Sequence, residues 1–132
     1  MTSRSRRRRE EGTSAIELVL YMPLLMIAII LTIQFALVYL GNQAVSAAAR
    51  EAARTARTTG DPQAGEARGY DYAKDLGGGL LRAVRVDVGL VNGGRDVRAV
   101  VSADGEQLLP FIDRPRLDQT VEGPVEQFRE DQ

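Results

Sequence analysis

The chain contains no cysteine, no histidine and no tryptophan, and aromatic side chains make up only 5% of its 132 residues. Without thiols there is neither a disulfide framework nor a thiolate metal site. Without imidazole, a Ser-His-Asp site, a Cys-His site and any histidine-ligated metal are excluded by composition. The length leaves room for one membrane span and one small domain, not for a large enzyme. The expectation is a protein with no enzymatic activity, no cofactor and no metal.

The net charge of −1 conceals a segregation of sign. Arg4 and Arg6 to Arg9 outweigh Glu10 and Glu11, so the first twelve residues are basic and the remainder is acidic. A block of like charge this dense is expected to be disordered in water. Because an apolar run follows it directly, the block reads as a cytoplasmic anchor of the positive-inside kind rather than a nucleic-acid-binding arm. No folded nucleic-acid reader is visible downstream.

From Leu18 to Leu40 the only strongly polar side chain is Gln34. A helix over that run rises about 35 Å, enough to cross a hydrocarbon core of roughly 30 Å. The excess of arginine before the run, compared with Arg50, Arg54 and Arg57 after it, favours an amino terminus in the cytoplasm and a carboxyl portion outside. A secretory signal with cleavage near Ser46 to Ala49 is a rival reading, but secretory apolar regions run only about 7 to 15 residues. Pro23 near the start of the run removes one helical hydrogen bond. It has two readings, a local accommodation in the membrane or a weak point that eases extraction from lipid.

Past Leu40 the helical pattern continues with a different composition. Ala44, Ala47 to Ala49, Ala52, Ala53 and Ala56 favour helix, and Arg50, Arg54 and Arg57 share one face. The expected helix runs from about Ser14 to Thr58, where Gly60, Asp61 and Pro62 end it. The small-residue face suits packing against the chain's own domain or close approach by helices of other subunits. Both readings stay open at this point.

Asp61 as N-cap and Pro62 at the first helical position predict a second helix over Pro62 to Leu76, weakened by Gly65 and Gly69. Gly77 to Gly79 then read as a hinge. They lead into a strand and not into a helix N-terminus, so they do not form a phosphate-cradling loop. Val84, Val86, Val88 and Leu90 alternate with polar residues, as do Val97, Ala99 and Val101, and Asn92-Gly93-Gly94 supplies a tight turn between them. Those features predict a β-hairpin. Gln107 to Ile112 is expected as a short edge strand limited by Pro110, Leu117 to Glu122 as a further strand, and Phe128 to Gln132 as a charged tail. Asp71, Asp75, Asp87, Asp96 and Asp104 lack the spacing of a calcium loop and read as solvated charge. Of Tyr70 and Tyr72, one is expected in the core and the other on the surface.

The fold class expected is α+β, with a long amino-terminal transmembrane helix extending into an extracytoplasmic stem, then a short helix and a small antiparallel sheet. Three segments follow: a basic leader over 1–12, the membrane helix and stem over 13–58, and a small α+β domain with its tail over 59–132.

Glu17 is the feature these elements leave without a reason, a carboxylate where the helix enters lipid, five residues beyond Gly12. Gly12, Thr13 to Ile16, Glu17, the Pro23-Leu24-Leu25 run and Ala49-Arg50-Glu51-Ala52-Ala53-Arg54 together resemble the TadE-like pseudopilins of the Tad (tight adherence) type IV pilus family. The resemblance is specific over about residues 12 to 57. It implies cleavage by a prepilin peptidase between Gly12 and Thr13, and assembly into a pilus through the amino-terminal helix, with Glu17 and Pro23 as assembly residues. The partners it implies are that peptidase, other Tad pilins and pseudopilins, and the Tad secretion ATPase with its membrane platform, besides membrane lipid. Leu18 stands where major Tad pilins have Tyr and many TadE-like chains have Phe, and the soluble part is far longer than a major Tad pilin has. Both departures point to a minor pilin or pseudopilin. The alternative is an unprocessed, signal-anchored membrane protein with an extracytoplasmic binding domain.

Cleavage would create an ammonium group on Thr13 near the Glu17 carboxylate of a neighbouring subunit. Two charges that are each costly in lipid would then offset one another and set the stagger between subunits.

Overall fold

The structure, a computed structural model, describes the backbone of residues 4–126 and the side chains of residues 14–126. Helix α1 spans Arg4–Thr59, helix α2 spans Pro62–Gly77, and strands β1 (Leu81–Val91), β2 (Asp96–Gly105) and β3 (Arg116–Pro124) follow. The fold is α+β. The chain divides into two compact units, Met1–Phe35 and Ala36–Gln132, with α1 contributing to both. The tail expected over Phe128 to Gln132 lies outside the described residues.

In the first unit α1 starts at Arg4, not at the expected Ser14. The disorder expected for the arginine block gives way to helix because arginine and glutamate are both good helix formers, and a helix already nucleated extends at little cost. Pro23 lies inside the helix, which continues through it.

In the second unit the sheet is antiparallel with the order β1-β2-β3. The hairpin turn is built as its residues dictate, with Asn92, Gly93 and Gly94 at φ of 54°, 71° and 84°. Between Arg82 and Arg85 the register shifts by one residue, and Ala83 takes a φ of 50°. This bulge lets Leu81 face the same side as Val84, Val86 and Val88.

The edge strand expected at Gln107 to Ile112 is absent. The Gln107 side-chain amide donates to the carbonyl oxygens of Leu109, at 2.9 Å, and Ile112, and so folds that segment into a loop. The Gly105 N–H closes the loop by donating to the Pro115 carbonyl oxygen at 2.8 Å. The last expected strand is β3, longer at both ends.

Both helices lie on one face of the sheet, and the core between them is made of small side chains. Ala44, Val45, Ala48, Ala49, Ala52, Ala53 and Ala56 of α1 are buried, along with Val97, Ala99, Val101 and Ala103 of β2. The largest fully buried side chains are Val45, Val97 and Val101. Leu81, Val88 and Leu117 are buried as well, and where the core is alanine it gains dispersion energy by bringing backbones close together. On α2 the contact stripe is Gly65, Gly69, Ala73 and Gly77, one residue per turn and all buried. A Cβ on Gly65 would lie 2.7 Å from the Ala52 carbonyl oxygen, and one on Gly69 would lie 2.7 Å from the Ala52 Cβ. The glycines that weaken α2 as an isolated helix are thus what lets it dock.

At the far end of α1, Gly60 takes the left-handed φ of 70° that ends the helix, and its N–H donates to the Ala56 carbonyl oxygen. Asp61 then caps α2 by accepting from the Gln63 N–H at 2.9 Å.

Candidate functional site

The candidate site is α1 itself, and its two parts differ sharply. In the first unit every large apolar side chain from Ile16 to Phe35 that is exposed stands open to its surroundings, among them Leu18, Val19 and Leu20 at 63% to 70%. By length and composition this helix is able to cross a membrane, and its most apolar window has no buried residue. The Thr32 hydroxyl donates to the Ala28 carbonyl oxygen at 2.8 Å, so its polarity is satisfied inside the helix, as a lipid environment requires.

Glu17 is exposed at the entrance to this segment, and no ion pair or hydrogen bond joins its side chain to another described residue. Gly12 and Thr13 lie in the backbone of α1, and the side chain of Thr13 is outside the described residues. Glu17 and Pro23 share one helix but are more than a turn apart, so the structure does not join them in a single cluster.

In the second unit the segment Ala49 to Arg54 divides by face. Ala49, Ala52 and Ala53 are buried in the core. Arg50 and Arg54 are exposed, and Arg50 donates back to the carbonyl and hydroxyl oxygens of Ser46. Glu51 pairs with Arg68 of α2 at 3.3 Å. Of the two readings of the alanine face, packing against the chain's own domain is the one observed. Sequence reasoning missed that α2 carries a matching stripe. The signal was present in the four-residue spacing of Gly65, Gly69, Ala73 and Gly77 opposite Ala48, Ala52 and Ala56.

Further along α1, Arg57 Nε donates to the Pro124 carbonyl oxygen at 2.8 Å and its guanidinium lies against Gly123. Near the start of the unit, the Gln119 amide donates to the Asn42 side-chain oxygen at 3.0 Å. Strand β3 is therefore tied to α1 at two points, Gln119 within the strand and Pro124 at its end. On β1, the N–H of Val88 donates to Glu66 of α2 at 3.1 Å, so a donor on this edge strand is covered from within the chain.

The remaining candidates do not assemble a reactive centre. Among the described residues no group of three or more acidic or other ligating side chains is placed to hold a metal. Gly77 to Gly79 close α2 and pass through one 3-10 turn into β1, with the Gly78 N–H donating to the Lys74 carbonyl oxygen. Tyr72 packs against the core and Tyr70 is exposed, each beside a cation, Arg68 and Lys74 respectively, at 5.4 Å.

A family model described as TadE-like protein matches residues 12–54. No curated protein and no solved structure matches the chain. The matched stretch begins at Gly12, contains Glu17 and Pro23, and ends at Arg54 on the domain-facing part of α1.

Proposed function

From a TadE-like segment over residues 12–54, we propose that the chain is a minor pilin or pseudopilin of a Tad-type pilus, cut after Gly12 and assembled through α1. The observation that carries this reading is the division of α1. Its distal alanine face is consumed by the chain's own domain, whereas the apolar part from Ile16 onward is exposed and the Glu17 carboxylate has no partner among the described residues, which leaves both to meet other subunits. Assembly contacts therefore fall on the amino-terminal part, where a neighbour's new Thr13 ammonium would meet Glu17. The role is structural, the amino terminus lies in the cytoplasm, and the α+β unit stands outside the membrane. The partners are a prepilin peptidase, other Tad pilins and the Tad secretion platform.

Intact mass and amino-terminal sequencing of the membrane-extracted protein test the reading directly. A chain starting at Thr13 supports it. A chain starting at Met1 or Thr2 marks an untrimmed anchor, and one starting near Arg50 a secreted domain.

A further inference from the structure

The loop between β2 and β3 carries large apolar side chains outward. Phe111 is 83% exposed, more than any other large apolar residue described, including those of the membrane-length helix, and Ile112 is 48% exposed. Gln107 holds the loop in shape by donating to the carbonyls of Leu109 and Ile112, so these side chains are presented by a closed turn and not by a slack connection. With Leu108 at 44%, three large apolar side chains are exposed on this one loop, which sets it apart from a singly exposed residue and makes it a candidate interaction surface.

Its position in the domain identifies the partner. The loop leaves the sheet at Gly105 and Pro115, next to Leu117. Leu117 in turn packs on Gly41, where an added Cβ would be 2.8 Å from the Leu117 Cδ1. Gly41 is the first residue after the apolar run, so the loop emerges at the pole where α1 enters the domain. The opposite pole carries the Asn92-Gly93-Gly94 turn and Gly60, with Leu90 as the exposed large apolar residue near it.

A second apolar feature lies at the same pole. A shallow groove of about 360 Å³ is lined in part by Leu40, Ala44, Leu76 and Leu80, and Leu76 is 51% exposed. Asp113 and then Arg114 follow the loop's apolar residues, and both are exposed. An aromatic, neighbouring aliphatics and an arginine beside the end of the apolar run suit a lipid interface, with the Phe111 ring at headgroup depth and the guanidinium reaching phosphate.

We propose that this pole rests on the membrane that α1 crosses, with Phe111 and Ile112 seated among lipid headgroups. The contact fixes the domain against the bilayer while the subunit waits in the membrane, and it is broken when the subunit is drawn out. It depends on membrane anchoring through α1, which the experiment reads separately.

Because the chain has no tryptophan, single substitutions act as depth probes. The full chain is reconstituted into phosphatidylethanolamine–phosphatidylglycerol vesicles, with and without brominated acyl chains, as Phe111→Trp, as Leu90→Trp near the opposite pole, and as Leu24→Trp within the span. Bromolipid is expected to quench Phe111→Trp several-fold more than Leu90→Trp, with Phe111→Trp emission shifted to the blue and Leu24→Trp also quenched. Quenching of Phe111→Trp no greater than that of Leu90→Trp, with Leu24→Trp still quenched, overturns the docking while leaving the anchor intact. An unquenched Leu24→Trp overturns the anchor and the docking together. A blue shift of Phe111→Trp that follows the protein-to-lipid ratio and ignores bromine assigns the surface to a second copy of the chain and overturns the lipid contact.

Discussion

The carbonyl oxygen of Ala52 on α1 lies 2.7 Å from where a Cβ on Gly65 of α2 would stand. In an exposed helix, replacing glycine by alanine gains about 1 kcal/mol. At Gly65 the sign reverses, because the obstacle is backbone in a core already packed on alanine. Gly65→Ala is expected to destabilise the α+β unit by about 1 to 3 kcal/mol, as overpacking does elsewhere. Gly89→Ala, with nothing within 4 Å of its added Cβ, serves as the control. Thermal unfolding of both variants decides the matter, and equal melting temperatures would refute the close helix contact.

The edge of the sheet is guarded by Glu66, whose carboxylate accepts the Val88 N–H. Glu66→Ala is expected to cost about 1 to 2 kcal/mol, since the half-buried donor loses its partner. Glu66→Gln keeps an acceptor and should lose less. The alanine variant should also self-associate more readily through β1, a property checked by light scattering at increasing protein concentration.

Much of the α+β unit was legible because its signals are local. Alternation over Val84 to Val88 and Val97 to Val101, with Asn92-Gly93-Gly94 between, defines the hairpin without help from the rest of the chain. Gly60-Asp61-Pro62 likewise separates the two helices. What escaped depends on distant residues. The glycines of α2 read as weaknesses until Ala48, Ala52 and Ala56 are placed opposite them. The Gln107 to Ile112 segment has the apolar content of a strand, but one side-chain amide bonds two carbonyls and closes it as a loop. The bulge at Ala83 has no local signature, being forced by the need to bury both Leu81 and Val84.

The candidate site divides in the same way. Glu17 was legible as a carboxylate where the helix enters lipid, and no described residue supplies a partner for it. The Ala49 to Arg54 segment was legible as a motif, but its role as the floor of the domain emerges only from the fold.

Arg57 holds the end of β3 through its hydrogen bond to Pro124 and its contact with Gly123. Its ion pair with Glu126 is long, at 3.9 Å, and Glu126 is 55% exposed. The hydrogen bond should therefore outweigh the charge pair. Arg57→Ala is expected to cost about 1 kcal/mol and to raise amide exchange over Val121 to Pro124, whereas Glu126→Gln should leave both stability and exchange unchanged. Added salt should have little effect on the wild-type value, and a strong salt dependence would shift the weight back to the ion pair.

The assembly role of Glu17 separates from its neighbour's cleavage. Gly12→Ala is expected to block trimming, leaving the longer chain visible by mass, because a side chain is added at the proposed scissile position. Glu17→Ala should be trimmed almost as the wild type, since it stands five residues beyond Gly12, but its helix would present no carboxylate to a neighbour's Thr13 ammonium. Incorporation into pili should then fall while the membrane pool of trimmed subunit rises. Glu17→Gln sharpens the test because it keeps the size and one acceptor oxygen while removing the charge. If Glu17→Gln assembles as well as the wild type, the charge pair does not set the contact between subunits. If it fails as badly as Glu17→Ala, the carboxylate's charge is the part of the side chain that assembly uses.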